Sequence, residues 1–390
     1  MARPAKHPLL VLLPCLLTAC EQEPPAPVYT CLDGWVQERF AAPRPDYPLV
    51  WETEHLDIYA KDNITVCAGT AAELERHVAF IGETLGIEMR KHMPLYLSRD
   101  IPDECRGTLG CAYDDGVTFA APTATYHELG HAVACQLNVF QAPVLSEGFA
   151  EAFIPRPRRL HGEPALYEAL HASENYGPHV DDGVHFIRWV IENYGGEAVA
   201  EIYRTAPIHH PRLSPADGEG IIVAIEATLG SDFDTIEREF ETDLPYMFPP
   251  FRQCADIPHV ERGPEGEWHF TSIMDCDDES TFGPYERISP ASGGFHNFGA
   301  MMHQGFTIDV PKTGKFAVEM HGVEAVRFER CGTEPAPTEA DAWMFGEAVS
   351  FPTLGKRVKL RPGRWRVDAV RDYGDPAPVE VIIRKTIEDD

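Results

Sequence analysis

At 390 residues the chain exceeds one small domain and suits two, taking roughly 100–200 residues per domain. A composition of 44% hydrophobic and 24% charged residues is globular, which excludes a disordered polypeptide and a multi-span membrane protein. With 33 Lys and Arg against 62 Asp and Glu, the net charge is −29; nucleic acid is therefore not an expected partner, and anionic lipid surfaces repel the chain.

The first residues carry two cations, Arg3 and Lys6, followed by an apolar run over 8–19. That is the pattern of a secretory signal, and it is too short to span a bilayer as a helix. The run ends in Leu17-Thr18-Ala19-Cys20, which resembles the lipobox of bacterial lipoproteins. The resemblance implies a signal peptide over 1–19 and a lipid on Cys20. The other reading is an ordinary signal peptide with Cys20 incidental. Residues 20–30 form a Pro-rich tether that holds the folded part away from the membrane. The expected location is the bacterial cell envelope, on the periplasmic face or the cell surface, with the membrane met through the lipid anchor alone.

Ten cysteines are present, of which Cys15 and Cys20 belong to the signal. The rest are Cys31, Cys67, Cys105, Cys111, Cys135, Cys254, Cys276 and Cys331, an even set without a C-x-x-C pair. Disulfides are expected in an exported chain. Proximity suggests Cys105 with Cys111 and Cys254 with Cys276; Cys135 is read as a disulfide or a core thiol.

Residues 31–250 read as a largely helical first domain. Thr70 and Glu73 have capping-box spacing and open a helix with Leu74, Val78, Ile81 and Leu85 on its apolar face, stopped near Gly86. Residues 93–97 and 117–121 read as short strands. Helices are expected over 123–138, 144–154 and 183–194, the last with Asp182 as N-cap and Gly195-Gly196 as its stop.

Within the helix over 123–138 lies His127-Glu128-Leu129-Gly130-His131. Residues four apart share a helix face, so both imidazoles can address one metal ion. Zinc suits neutral imidazole, and Glu128 is placed to take a proton from water beside the metal. A carboxylate-bearing segment, Leu145-Ser146-Glu147-Gly148-Phe149-Ala150-Glu151, follows.

After Pro249-Pro250 the texture changes to strand-like runs over 305–310, 315–320, 325–331, 364–370 and 379–385, separated by Gly, Pro and Asp clusters. Residues 251–390 therefore read as an all-β, sandwich-like second domain. The segment 305–385 resembles the pre-peptidase C-terminal domain of secreted bacterial proteases.

The pairing of H-E-L-G-H with L-S-E-G-F-A-E resembles the gluzincin metallopeptidases, the group containing thermolysin and aminopeptidase N. The resemblance implies an α+β fold, Zn2+ as cofactor and a peptide or protein substrate. It implies His127 and His131 as zinc ligands, Glu128 as general base, Glu147 as third ligand and Glu151 as the acid orienting a ligating histidine. Fifteen residues separate His131 from Glu147, fewer than in those enzymes, and nineteen separate it from Glu151, which stays open as the third ligand. Tyr176, His179 and His185 are the candidates for the donor that gluzincins aim at the tetrahedral oxyanion. The strand over 116–121 is either the edge that pairs with substrate backbone or an ordinary core strand.

Ala134 and Leu137 occupy the positions where the metzincin extension has glycine and histidine, so that subfamily is set aside. The lack of a G-x-M-E-N segment points to an endopeptidase rather than an exopeptidase. The alternative to an exported zinc peptidase is a weak or inactive envelope lipoprotein that binds a surface partner through its β-sandwich.

Overall fold

A computed structural model of the chain describes residues 46–386, apart from 63, 101–104, 106, 114–116, 138–142, 155–164, 172–178, 208–216, 244–253, 255–256, 285–286, 289–294, 297–300, 332–348 and 352–356. The fold is α+β, as the sequence leads one to expect. The proposed signal, Cys20 and the tether lie outside the described residues.

Strands β1 (Leu49–Glu52), β2 (Leu56–Ala60), β3 (Met93–Leu97), β4 (Gly110–Ala112) and β5 (Thr118–Ala120) form one sheet in the order β1-β2-β3-β5-β4. The β2–β3 and β3–β5 pairs are parallel, while β1 and β4 run antiparallel to their neighbours at the two edges. Period-two alternation sends Leu56, Ile58 and Ala60 of β2 into the helical core. On the other face Tyr59, Tyr96 and Phe119 stack across three strands, with ring centroids 4.8 and 4.7 Å apart.

The helices are α1 (Ala68–Leu85), α2 (Thr125–Ala134), α3 (Pro143–Ala152), α4 (Leu166–His171), α5 (His179–Tyr194), α6 (Gly196–Thr205), α7 (Gly218–Leu229) and α8 (Phe233–Asp243). Their apolar faces close one core against the sheet, with Leu74, Val78, Ile81 and Leu85 of α1 in it and Gly86 closing that helix at φ 64°. Two helix starts differ from expectation. Helix α1 opens at Ala68, and Thr70 does not cap it; the N–H groups of Cys67 and Ala68 instead donate to the carbonyls of Gly283 and Cys276, at 3.0 and 2.9 Å. Helix α5 starts at His179, so Asp182 is buried within its first turn rather than standing at its N-cap.

The C-terminal region contains β6 (Glu267–Met274), β7 (Thr281–Phe282), β8 (Arg287–Ile288), β9 (Phe295–His296), β10 (Met301–Val310), β11 (Gly314–His321), β12 (Ala325–Arg330), β13 (Val349–Phe351), β14 (Arg357–Leu360), β15 (Gly363–Asp372) and β16 (Ala377–Lys385). Two sheets, β13-β12-β15-β10-β7 and β14-β11-β16-β6, enclose a second core around Trp268, Phe306, Phe328 and Trp365. All five expected strands are present, as β10, β11, β12, β15 and β16.

Disulfides join Cys105 to Cys111, Cys67 to Cys276 and Cys254 to Cys331, and Cys135 is also disulfide-bonded. The first is the expected pair. The expected bridge from Cys254 to Cys276 is not formed, because the turn after β6 docks on the start of α1 and brings Cys276 to Cys67. Such bonds fit an oxidising, non-cytoplasmic compartment. Among the described residues no helix is long and apolar enough to cross a membrane.

Candidate metal centre

Pro122 opens a short 3-10 turn that leads into α2, where proline's missing N–H costs nothing. Helix α2 places His127 and His131 one turn apart on one face, with Glu128 turned to the side. Helix α3 brings Glu147 and Glu151 to them. The two helices meet at Gly130, where a β-carbon would stand 2.7 Å from the Cα of Ala150, so only glycine permits this approach.

The Nε2 atoms of His127 and His131 are 3.0 Å apart, and their rings are nearly perpendicular. Glu147 Oε2 lies 3.2 Å from Nε2 of His127, and Oε1 lies 3.7 Å from Nε2 of His131. These three residues form the one His/Cys/Asp/Glu group, among the described residues, able to hold a metal ion, with donor atoms all within 4.8 Å. Glu151 sits on the far nitrogen, its Oε1 3.0 Å from Nδ1 of His127. Ser146 Oγ is 3.4 Å from Nδ1 of His131. Each imidazole thus has a partner on Nδ1 and presents Nε2 to the group.

The electrostatics of the metal-free group follow from burial and carboxylates. Burial opposes protonation of His127, but the hydrogen bonds its ring donates to Glu147 and Glu151 outweigh it and raise the ring to about 10. Burial, helped by the charge on His127, lowers His131 to about 4. Burial pushes the Glu128 carboxyl up to about 7. For Glu147 burial acts upward, and the hydrogen bond from His127 prevails and holds it below the usual carboxylate range. A cationic imidazole is trapped against a carboxylate beside a neutral imidazole, a place where a divalent cation can replace the proton.

Strand β4 lies against this helix. A β-carbon on Gly110 would come within 2.4 Å of Cγ of Glu128. The carbonyl of Leu109 accepts from Ala121 N and Tyr113 N donates to Val117 O, so alternate residues of β4 face β5. Antiparallel alternation therefore turns the peptide groups of Gly110 and Ala112 toward the outer edge, where the Thr108 hydroxyl donates to Gly110 O at 2.7 Å. Of the two readings of 116–121, the core strand holds: β5 is flanked by β3 and β4, and among the described residues the sheet edges are β1 and β4.

Tyr176 and the side chain of His179 lie outside the described residues, and His185 is fully buried on α5. Sequence reading passed over Ser146, Gly110 and Arg188. Ser146 stood inside the quoted motif; the others have no local signal, since their importance comes from what packs on them. Arg188 of α5 donates to the carbonyls of Ala152 and Ile154 at 2.8 and 3.1 Å, holding the end of α3.

No protein-family model matches the chain, and no curated protein matches it. Among solved structures, aminopeptidase A of Legionella pneumophila in complex with aspartic acid aligns with 83% of this chain and 35% of its own, so the chain corresponds to well under two thirds of that enzyme. The identity is 9% and the TM-score 0.28, a likeness that carries no argument about this chain.

Proposed function

We propose that the chain is an exported, lipid-anchored, zinc-dependent peptidase of the endopeptidase type, acting on peptide or protein substrates. The observation that carries the reading is the convergence of His127, His131 and Glu147 from two helices, with Glu128 beside them. The donor set fits zinc. Bonds of about 2.0–2.1 Å in a tetrahedral arrangement put donors about 3.3 Å apart. Here the two Nε2 atoms are 3.0 Å apart, with one Glu147 oxygen 3.2 Å from His127 and the other 3.7 Å from His131. Two imidazoles and one carboxylate also match a catalytic rather than a closed structural site.

Bound zinc supplies Lewis acidity toward a carbonyl oxygen and toward water. The protein does the rest. Glu151 fixes the tautomer of His127 by accepting from Nδ1–H, which leaves the Nε2 lone pair for the metal. Glu128 accepts a proton from the attacking water and delivers it to the leaving amine. The outward-facing Gly110 N–H and the peptide group of Ala112 align an extended substrate backbone by strand addition. The N-terminal pattern and the disulfides support export, and the lipobox-like Cys20 supports the anchor. The strand-rich C-terminal region, residues 251–390, supports a second domain beside the peptidase domain over 31–250.

The test uses chain beginning after Cys20. One zinc per chain, lost in His131→Ala, together with peptide cleavage that Glu128→Gln abolishes without losing zinc, is the expected result. Full cleavage by Glu128→Gln would refute the mechanism.

A further inference from the structure

Helix α2 ends on a cysteine whose sulfur is bonded. Cys135 closes the helix one turn after His131, its N–H donating to the His131 carbonyl, and it is part of a disulfide. The chain has ten cysteines. Six of them, Cys67, Cys276, Cys105, Cys111, Cys254 and Cys331, are paired with one another. Each sulfur enters one disulfide, so the partner of Cys135 is Cys15, Cys20 or Cys31, all three outside the described residues.

Chemistry separates the three. Cys15 lies in the proposed signal and leaves with it. A lipid on the sulfur of Cys20 occupies the valence that a disulfide needs. That leaves Cys31, and its reach suffices. Tyr47 docks on the far face of the first sheet, with ring centroids 5.3 Å from Tyr96 and 6.3 Å from Phe119. The chain from Cys31 to Tyr47 spans at most about 55 Å. A domain of roughly 200 residues is about 40 Å across, so Cys31 can reach the helical side. The end of α2 is a fixed point there: Gln136, beside Cys135, accepts from Arg90 N at 2.9 Å and donates from Nε2 to Sδ of Met93 at 3.1 Å.

We infer that Cys31 and Cys135 form a disulfide that clips the N-terminal tether to the end of α2. The two thiols give up two protons and two electrons by exchange with a disulfide oxidant, which leaves as its dithiol. The tether is then the stretch from Cys20 to Cys31, at most about 40 Å, instead of the stretch from Cys20 to Tyr47, at most about 95 Å. His131 lies about 6 Å back along the helix from Cys135. The metal centre is thereby held within about 50 Å of the lipid surface, and the peptides it meets are those presented close to the bilayer. The inference rests on the export and anchor proposed above, and its consequence for substrates rests on the metal-site reading.

Its test uses the full chain, exported by a bacterium with its own N-terminus and collected with the membranes. Mass spectrometry of peptides cut without reduction should find the segment around Cys31 joined to the segment around Cys135, with a lipid on Cys20. In a second form of the chain, a recognition sequence for a site-specific protease is inserted between Ala41 and Ala42. After the cut the folded part should stay with the membrane until a reductant is added, whereas Cys31→Ser should release it without reductant. The peptide map needs no variant, so it decides the matter if Cys31→Ser fails to fold. Release of the parent by the cut alone, retention of the cut Cys31→Ser protein, or a Cys135 that is alkylated before reduction would overturn the inference alone. A Cys20–Cys135 peptide would overturn it together with the anchor, and so would a chain that carries no lipid and stays soluble. A chain that passes both tests but binds no zinc would remove the metal-site reading and leave the clip standing.

Discussion

Glu151 holds His127 by Nδ1 at 3.0 Å, while Glu147 meets the same ring at Nε2. Two carboxylates one helical turn apart therefore have different tasks, set by which nitrogen each reaches. Glu147→Gln should lose zinc almost entirely. Glu151→Gln should weaken it about 10–100-fold, the usual cost of removing the partner of a ligating histidine. Metal content after dialysis against a graded chelator series measures both. The reverse order would make Glu151 the ligand.

Gly110 should tolerate nothing larger. A β-carbon there would stand 2.4 Å from Cγ and 2.7 Å from Oε1 of Glu128, at the carboxyl end of that side chain. Either β4 retreats or the carboxylate turns away from its working position. Misplacement of a catalytic group by about 1 Å costs on the order of 100-fold. Gly110→Ala should lower kcat by that order while zinc stays at one per chain. Unchanged kcat would show that Glu128 has slack at this contact.

The contrast between His127/His131 and Glu147/Glu151 shows what was legible in the sequence. Spacing of four on a helix is a local rule, so the two imidazoles and Glu128 could be read directly. The choice between Glu147 and Glu151 depends on how α3 crosses α2 at Gly130, which spacing does not encode. Strands β10, β11, β15 and β16 were readable from apolar alternation. In β6 the buried set is Trp268, Phe270 and Met274, and the outward-facing Ile273, 63% exposed, blurs that pattern. The partner of Cys276 and the capping of α1 were illegible for one reason: both are made by docking the sandwich on residues 67–70, some two hundred positions away. Thr70 has the right spacing for a cap, but its hydroxyl serves Gly283 instead.

Acid should destabilise the protein through His77. This ring is fully buried between α1 and α2, and burial lowers it from an ordinary 6.5 to about 4. A depressed histidine contributes its full stability above the unfolded value of about 6.5 and loses it as pH falls toward 4, because the unfolded chain takes up the proton first. The loss reaches roughly 3 kcal/mol, from about 1.4 kcal/mol per pK unit. Urea unfolding between pH 7.5 and 4.5 should show a shallower decline for His77→Leu than for the parent. Parallel declines would mean that other groups govern the acid limb.

Arg188 should matter more for its shape than for its charge. It is 2% exposed, and its guanidinium donates to Ala152 O, Ile154 O and, at 3.4 Å, Glu151 O. The last carbonyls of α3 lack helical partners, and a buried cation at a helix C-terminus meets both that need and the helix dipole. Arg188→Met keeps the apolar volume but removes the guanidinium donors to Ala152 O and Ile154 O, while Glu151 O keeps the Ile154 N–H at 3.2 Å; the cost is about 2–5 kcal/mol. Arg188→Lys retains the charge but not the planar fork, so it can satisfy only part of the set. Denaturant unfolding should order the proteins parent, Lys, Met from most to least stable. Because the same carbonyl end carries Glu151, zinc affinity should fall in that order too. A lysine variant equal to the parent in both measurements would show that the charge alone holds the end of α3.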